Sequence, residues 1–112
     1  MTTLDLTFSA LADPTRRQIL ARLAKGSATV SELVSGFKLT QPTISSHLKL
    51  LERAGLISRS RVRQTRPCAL EPAGLHALQA WLGDVHATYQ QNYERLDGVL
   101  DTLKAQSEHD DA

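Results

Sequence analysis

The sequence predicts a mainly helical fold that contains one small β-hairpin and ends in a long helix. Apolar residues recur with helical spacings of three or four over the first half of the chain. Just after Gly55 the pattern changes to a period of two, which is typical of strands. From Pro72 the helical spacing returns and continues to Leu103, which indicates one long final helix.

The composition restricts the class of protein. A chain of 112 residues with 41% hydrophobic residues suits one domain with a modest core. It contains no apolar run of about 18 residues, so we expect no membrane span. The N-terminus lacks a basic leader followed by an apolar segment, so we expect no export signal and a cytoplasmic protein. The only cysteine, Cys68, has no partner for an intrachain disulfide, which fits a reducing compartment.

The charge is divided unevenly along the chain. The net charge is +1, but residues 1–70 carry +7 and residues 71–112 carry −6. Charges could simply drift along a sequence, but a difference of this size in a small domain favours a polyanionic partner for the first part.

Two short helices are predicted first. The first is indicated by apolar residues at positions i, i+4 and i+7, which are Leu4, Phe8 and Leu11. The second begins at Asp13-Pro14, because Asp accepts hydrogen bonds at a helix N-cap and Pro fits the first turn. It is expected to run to about Lys25, and Gly26 is a natural C-terminal residue.

A third helix is predicted to begin at Val30, because Thr29 and Glu32 have the spacing of a capping box. We expect it to be short and interrupted by Gly36. Thr40 and Pro42 then predict the start of a fourth helix. Its inward stripe is formed by Ile44, Leu48 and Leu51. Gly55 is expected to end it.

An arginine-rich hairpin is predicted next. Every second residue of the first strand belongs to one face, which contains Ile57, Arg59, Arg61 and Arg63. A second strand is expected over residues 65–70. Pro67 indicates that this strand lies at an edge or contains a bulge.

The final helix carries a heptad seam of the kind that pairs helices. The seam consists of Leu75, Leu78, Leu82, Val85, Tyr89, Asn92, Leu96, Val99 and Leu103. Tyr93 and Leu100 widen it. We therefore predict a single domain over residues 1–106 with a dimerisation helix at about 72–105, and a disordered acidic tail over residues 107–112.

This order of elements is that of a helix-turn-helix followed by a hairpin wing. The short polar side chains of the fourth helix suit base edges in the major groove, and they are Gln41, Thr43, Ser45, Ser46 and His47. His47 could instead lie at the edge of the core. Contacts to phosphates or through the wing are expected from Thr40, Lys49, Arg53, Arg59, Arg61, Arg63 and Arg66.

The chain resembles the ArsR-type winged-helix transcriptional repressors. The resemblance rests on LADPTRRQILARLAKG, TVSELVSGFKLTQPTISSHLKLLERAGLI and RPCALEPAGL, and it extends from Phe8 to about Leu103. It implies a homodimer, joined through the first and last helices, that binds an imperfect inverted repeat near its own promoter. The implied dimer residues are Leu4, Phe8, Val85, Tyr89, Asn92, Tyr93, Leu96, Leu100 and Leu103. The wing departs from the family pattern, because Arg63-Gln64 stands where relatives often carry Gly then Arg.

Metal sensing is common among such relatives, but the ligand patterns are incomplete here. The third helix has no Cys-x-Cys pair. Asp84 and His86 begin another family pattern, and Asp97 could add a weak oxygen ligand across two chains. We expect these to be ordinary polar residues, and Cys68 to be a small packing residue. The sequence thus predicts no metal and no cofactor, and leaves any small-molecule effector unknown.

Two other functions remain as alternatives. A winged-helix module that binds only protein partners would not need +7 on its first part. An enzyme is not expected, because the chain has no phosphate-binding glycine loop and no nucleophile elbow.

Overall fold

The computed structural model describes residues 2–60 and 66–110, with side chains through residue 106. Arg61 and Arg63 therefore lie outside the described residues. The elements are α1 (Thr3–Leu11), α2 (Pro14–Leu23), α3 (Val30–Phe37), α4 (Gln41–Arg53), β1 (Ile57–Arg59), β2 (Cys68–Leu70) and α5 (Pro72–Asp110). The chain forms two compact units, Met1–Leu78 and Gln79–Ala112, where the sequence predicts a single domain over 1–106.

The first two helices begin at caps that satisfy their free N–H groups. The Thr2 hydroxyl accepts from the Asp5 backbone N–H at 3.1 Å, and the Asp5 carboxylate accepts in return from the Thr2 backbone at 3.0 Å. Asp13 accepts from the N–H groups of Thr15 and Arg16 at 2.7 and 3.2 Å. The predicted start of α2 is therefore confirmed.

The helix-turn-helix consists of α3 and α4. Thr29 and Glu32 form the predicted capping box at the start of α3. Gly36 lies inside this helix and does not interrupt it, which corrects the prediction. The helix ends at Phe37 and is followed by the C-cap residue Lys38, which adopts the left-handed conformation with φ +55°. Thr40 then caps α4 as predicted, with its side chain accepting from the Thr43 backbone N–H.

The hairpin is shorter than predicted. β1 and β2 pair antiparallel over three residues each, with Ile57 opposite Leu70 and Arg59 opposite Cys68. The predicted second strand over 65–70 is therefore wrong for residues 66 and 67. Arg66 has a left-handed backbone with φ +37°, and Pro67 has no N–H to donate.

A backbone bridge ties the hairpin to the loop before α3. The Ala28 N–H donates to the Cys68 carbonyl at 3.0 Å, and the Cys68 N–H donates to the Ala28 carbonyl at 2.7 Å. Both residues are buried. The strand that carries Cys68 is therefore fixed against the start of the helix-turn-helix.

The core of the first unit draws on every helix of the helix-turn-helix and on β1. The largest fully buried side chains include Ile19, Leu33, Ile44, Leu48, Leu51 and Leu56. The inward stripe predicted for α4 is confirmed, because its three members are all 0% exposed. Burial of this stripe fixes which face of α4 remains outside.

α5 starts close to the end of α4. The Glu71 N–H donates to the Leu56 carbonyl at 2.8 Å, and a β-carbon on Gly74 would collide with the Gly55 carbonyl oxygen. Only glycine fits this close approach. The helix continues to Asp110, into the segment predicted to be disordered, because no Gly or Pro interrupts it there. In the described part of the chain, no helix is both long and apolar enough to cross a membrane.

Candidate nucleic-acid interface

The outer face of α4 is polar, as a base-reading helix requires. Gln41, Thr43 and Ser46 are exposed, and Ser45 is half-buried. Because Ile44 and Leu48 hold the opposite side of the helix in the core, these short hydrogen-bonding side chains are presented outward. Donors and acceptors of this size can reach base edges in a major groove.

The first turn of α4 is held by its own hydroxyl groups. The Thr40 hydroxyl accepts from the Thr43 backbone N–H at 3.4 Å, and the two hydroxyl oxygens lie 2.8 Å apart. Thr40 therefore acts as the helix cap, in addition to the phosphate contact expected of it. The contact between the two hydroxyl groups holds the Thr43 side chain in place before any partner binds.

His47 points toward α1 and α2, where Arg16 lies. A guanidinium nitrogen of Arg16 lies 3.4 Å from His47 Nδ1, and since arginine can only donate, Nδ1 is the acceptor. His47 is half-buried. This contact favours the core-edge alternative for His47 over a base contact through Nδ1.

Arg16 joins three helices. Its Nε donates to the Ala10 carbonyl at 2.6 Å, and its Nη2 donates to the Ser9 carbonyl at 3.1 Å. Its side chain is only 14% exposed and lies 3.8 Å from the Asp13 carboxylate. The recognition helix is thereby connected through one side chain to the C-terminal end of α1. Because His47 lies 31 positions from Arg16 in the chain, no local spacing in the sequence indicates this connection.

Positive side chains extend the polar face along α4. Lys49 and Arg53 are exposed, and with Ser46 they have the spacing i, i+3 and i+7, which places them on one stripe. Charged side chains further along such a helix suit the phosphate backbone.

Arg59 lies on the partly buried face of β1. It shares its side of β1 with the buried Ile57, while Ser58 points outward. Arg59 is half-buried, and its Nε is enclosed. The predicted alternation places Arg59 on the same face as Ile57, and because Ile57 is buried, Arg59 is only partly accessible.

The hairpin and the helix-turn-helix enclose a polar cleft. It has a volume of about 580 Å³ and is lined by Thr29, Val30, Ser31, Gln41, Ser45, Arg59 and Arg66. The sequence predicted four of these as site residues. It missed the α3 residues, because the bridge that brings the hairpin to the start of α3 joins positions far apart in the chain.

Cys68 is a packing residue in this structure. It is fully buried and free, and burial raises the pKa of its thiol, although the charge of the neighbouring Arg59 partly opposes this. A thiol held neutral in this way is a poor nucleophile. Within the described part of one chain, no three His, Cys, Asp or Glu side chains are grouped as metal ligands.

The residues predicted to form a dimer leave a large apolar surface uncovered. Phe8 of α1 is 43% exposed and Leu4 is half-buried. On α5 the exposed apolar and aromatic residues include Val85, Tyr89, Tyr93, Leu96, Leu100 and Leu103. The rings of Tyr89 and Tyr93 stack with centroids 6.5 Å apart. A stripe of this kind is typical of a helix that pairs with another helix.

A helix-turn-helix with a polar outer face, followed by an antiparallel hairpin, defines the winged helix-turn-helix class of DNA-binding proteins. The comparison with known proteins identifies the family within it. A model of bacterial regulatory proteins of the arsR family matches residues 13–59. The HTH-type transcriptional regulator Rv2034 of Mycobacterium tuberculosis is 41% identical over 75 residues, which are 67% of this chain and 70% of that protein. The chain belongs to the ArsR family of transcriptional regulators.

Other relatives agree with this assignment. The transcriptional repressor SdpR of Bacillus subtilis is 42% identical over 57 residues, which are 51% of this chain and 63% of that protein. The crystal structure of an ArsR family transcriptional regulator, RHA00566, superimposes with a TM-score of 0.74 at 39% identity and covers 80% of this chain and 98% of its own. A homodimeric winged helix-turn-helix domain, Mb0332 from Mycobacterium bovis, superimposes with a TM-score of 0.63 at 25% identity and covers 75% of this chain and 78% of its own. This is a family of DNA-binding regulators and not of enzymes.

Proposed function

We propose that this regulator is a homodimeric repressor that binds an inverted-repeat operator, with α4 in the major groove and the hairpin on the backbone or in a minor groove. The observation that carries the proposal is the outer face of α4. It presents exposed Gln41, Thr43 and Ser46 in the first turns, and exposed Lys49 and Arg53 beyond them. Polar groups of this kind read bases, whereas the cations position the helix on phosphates.

The dimer is supported by two observations. The seam of α5 is exposed from Leu82 to Leu103, with Tyr89 at 64% and Leu96 at 58%, and a homodimeric relative shares the fold. A two-fold symmetric protein binds two half-sites, so the operator is expected to be a pseudo-palindrome. We propose that one operator lies upstream of the regulator's own coding sequence, and that the protein acts in the cytoplasm, where the chromosome is.

Repression is supported by one relative, the transcriptional repressor SdpR of Bacillus subtilis. A repressor lowers transcription when it covers a promoter, so a reporter fused to the upstream region gives the sign of regulation. Expression is expected to rise several-fold when the regulator is deleted and to fall when it is restored. A fall on deletion would instead identify an activator.

The proposal is tested by fluorescence anisotropy of the purified protein on a labelled duplex from its own upstream region, with excess unrelated DNA and varied salt. We expect tight binding that resists the competitor. The logarithm of the affinity should fall by about 0.9 per phosphate contact for each unit of log salt, and a dimer with six to ten contacts would give a slope of roughly −5 to −9.

One alternative has an observation in its favour. The long apolar seam of α5 would also serve a module that binds another protein and no operator. Such a module would show weak DNA binding that the competitor abolishes, on the upstream duplex and on every sequence selected from a random pool. If binding resists the competitor on a selected sequence but not on the upstream region, the proposal of a repressor stands and only autoregulation is excluded.

A further inference from the structure

A groove of the first unit is apolar, in contrast to the polar cleft beside the hairpin. It has a volume of about 320 Å³ and is formed by the end of α1, one side of α2, the end of β2 and the start of α5. A cavity of this volume lies at the small end of the range of small-molecule sites. The apolar residues that line it are Leu11, Leu20, Ala21, Ala24, Leu70 and Leu75.

The groove is open because two of its residues are small. Ala21 and Ala24 are exposed and lie about one turn apart on α2, and their side chains end at Cβ. Leu20 beside them is buried, and Leu70 and Leu75 are half-buried on the opposite walls. Concave apolar surface of this kind is covered favourably by an apolar ligand.

One cation accompanies these apolar walls. Arg17 lines the groove and is exposed, and its Nη1 donates to the Leu11 carbonyl at 2.7 Å, which holds the guanidinium beside the end of α1. The ion pairs within the described residues involve Arg16 and Arg22 instead, and no Asp or Glu is found among the described residues of the groove. Because arginine has five N–H donors, Arg17 can bind an anion and keep Leu11.

We propose that this groove, here called the α2 groove, binds a small amphiphilic carboxylate and that its occupation changes the affinity for the operator. The hydrocarbon part of the ligand would lie against the leucines, and its carboxylate would pair with Arg17. A guanidinium matches a carboxylate with two parallel hydrogen bonds, whereas a cationic ligand would be repelled. The effect on the operator rests on the proposed function.

Two walls of the α2 groove are connected to the helix-turn-helix. Leu70 belongs to β2, which is bridged through Cys68 to the loop before α3. Leu75 follows Gly74, which packs directly against Gly55 just after α4. A ligand that shifts these leucines relative to α2 therefore acts at both ends of the helix-turn-helix. Such a ligand changes operator affinity when it binds the free and the DNA-bound arrangements unequally.

The site is tested first without DNA. Octanoate is titrated into the full-length protein at constant ionic strength, and the alanine methyl signals are followed by NMR. The signals of Ala21 and Ala24 are expected to shift and to saturate in the low millimolar range, while that of the exposed Ala87 on α5 stays unchanged. Butyrate, which has a shorter chain, and octylamine, which has a positive head group, should bind more weakly. Shifts that do not saturate, or an equal response to octylamine, would overturn the site.

A first variant tests the head group. Arg17→Gln is expected to weaken octanoate binding several-fold and to leave the weaker binding of octanol unchanged, because octanol has no charge for Arg17 to pair with. Lys38→Gln removes the same charge at an exposed position outside the α2 groove and should leave both titrations unchanged. Equal weakening by Lys38→Gln would show only a general effect of net charge and would contradict the contact with Arg17.

A second variant tests the apolar walls. Ala21→Phe is expected to fill the α2 groove and to abolish saturable octanoate binding. Gln18→Phe adds the same side chain at an exposed position of α2 that does not line the groove, and it should bind as the wild type does. Urea unfolding shows whether each variant is folded, and Ala24→Phe provides a second filled groove. If both filled variants bind octanoate like the wild type, the proposed site is wrong.

A second copy of the chain is the competing occupant, because Leu75 also begins the apolar seam of α5. Sedimentation equilibrium of the wild type and of Ala21→Phe distinguishes the two. We expect both proteins to have the same mass, since the groove is reserved for the ligand. If octanoate does not bind and Ala21→Phe dissociates the dimer, the groove is part of the subunit interface and the ligand site is wrong.

The effect on DNA is measured by anisotropy on the operator with and without saturating octanoate. Operator affinity is expected to change at least several-fold for the wild type but not for Ala21→Phe, and the operator should change octanoate affinity by the same factor. If octanoate saturates the alanine signals but leaves operator affinity unchanged, the regulatory part is wrong while the repressor proposal stands. If octanoate binds but no duplex does, the repressor proposal is wrong while the ligand site stands.

Discussion

A single half-buried arginine couples the helix expected at the dimer interface to the recognition helix. Arg16 donates to two carbonyls at the end of α1 and to His47 of α4. Its neighbour Arg17 also donates to an α1 carbonyl, that of Leu11 at 2.7 Å, but from an exposed position. The two residues therefore form a natural pair for comparison.

Arg16→Gln is expected to lower both stability and DNA affinity, whereas Arg17→Gln should change each only slightly. The loss of hydrogen bonds from a part-buried cation should reduce the free energy of unfolding by about 1–3 kcal/mol. In addition, α4 loses its tie to α1, so we expect several-fold weaker operator binding under conditions in which the variant is fully folded. Urea unfolding and anisotropy measure the two effects. Equal losses of DNA affinity in both variants would show that the contact with His47 does not position α4.

Gln41 tests base reading at the scale of one side chain. Gln41→Ala is expected to reduce discrimination at one operator position by about 1–3 kcal/mol, because a bidentate contact to adenine would be lost. Lys49→Ala is the comparison, since a phosphate contact should weaken all sequences alike and reduce the salt slope. Competition with single-base operator variants measures both. If Gln41→Ala weakens every sequence uniformly, Gln41 contacts the DNA backbone and not a base.

At the scale of elements, the starts of α1, α2 and α3 are stabilised by carboxylates whose ionised form is favoured in the folded chain. The backbone N–H of Arg16 holds the pKa of Asp13 below its ordinary value, and the Thr15 N–H and the Arg16 charge add to this, against a partial desolvation. Asp5 and Glu32 are shifted in the same direction by the backbone N–H groups of their own capping boxes, from Thr2 and Thr29.

The capping carboxylates predict acid sensitivity. Because folding lowers these pKa values, the unfolded chain binds more protons in acid. The stabilisation is complete above about pH 5 and is lost as the pH falls through about 4 and below. Asp13→Asn keeps a capping oxygen but cannot titrate, so it should be nearly as stable as the wild type at pH 7 and should lose less stability by pH 3. Urea unfolding between pH 3 and pH 7 measures how the free energy of unfolding of each protein changes with pH. If the free energy of unfolding falls equally with pH in both proteins, Asp13 does not contribute to the acid sensitivity.

The sequence predicted elements best where a local chemical signal marks their ends. Thr29 and Thr40 identified the starts of α3 and α4, because an N-cap depends on residues within one turn. The end of α3 was misjudged, since a C-terminal left-handed residue is usually glycine and here it is Lys38. The partial burial of Arg59 was not predicted, because which side of a strand is buried depends on distant residues, above all on the packing around Ile57.

In the candidate site, too, local features could be predicted from the sequence, whereas contacts between distant residues could not. The polar outer face of α4 followed from its sequence, because its apolar stripe is 3.6-periodic and leaves the other residues outside. The contact of Arg16 with His47 joins residues 31 positions apart, and the cleft at the start of α3 depends on the bridge between Ala28 and Cys68. Neither juxtaposition leaves a local pattern, so only the folded chain reveals them.

At the scale of the whole molecule, assembly depends on a surface that one chain cannot cover. The second unit is part of a single helix, so its apolar stripe has no core of its own to enter. Exposed fractions of 50% or more at Leu96, Val99, Leu100 and Leu103 form a continuous apolar surface of the kind that marks an interface. The charge division fits this arrangement, because the negative final segment would repel DNA while the positive first part binds it.

Leu96→Glu is therefore expected to dissociate the dimer and thereby to abolish tight operator binding. Each subunit would bring a charge to the apolar seam, and a desolvated, unpaired carboxylate is strongly unfavourable. Ala87→Glu introduces the same side chain at an exposed position between seam residues 85 and 89, on the opposite side of the heptad, and should leave the dimer intact. Sedimentation equilibrium gives the mass, and anisotropy gives the affinity for full and half operators.

The two measurements also separate assembly from recognition. A Leu96→Glu monomer should still bind a half-site weakly, because α4 and its core lie in the first unit, Met1–Leu78. Affinity for the full operator should then fall to about that for the half-site, since a second linked contact raises avidity by about 10² or more. If Leu96→Glu remains dimeric and binds the full operator as the wild type does, the seam of α5 is not the interface. The exposed Phe8 of α1 would then be the next position to substitute.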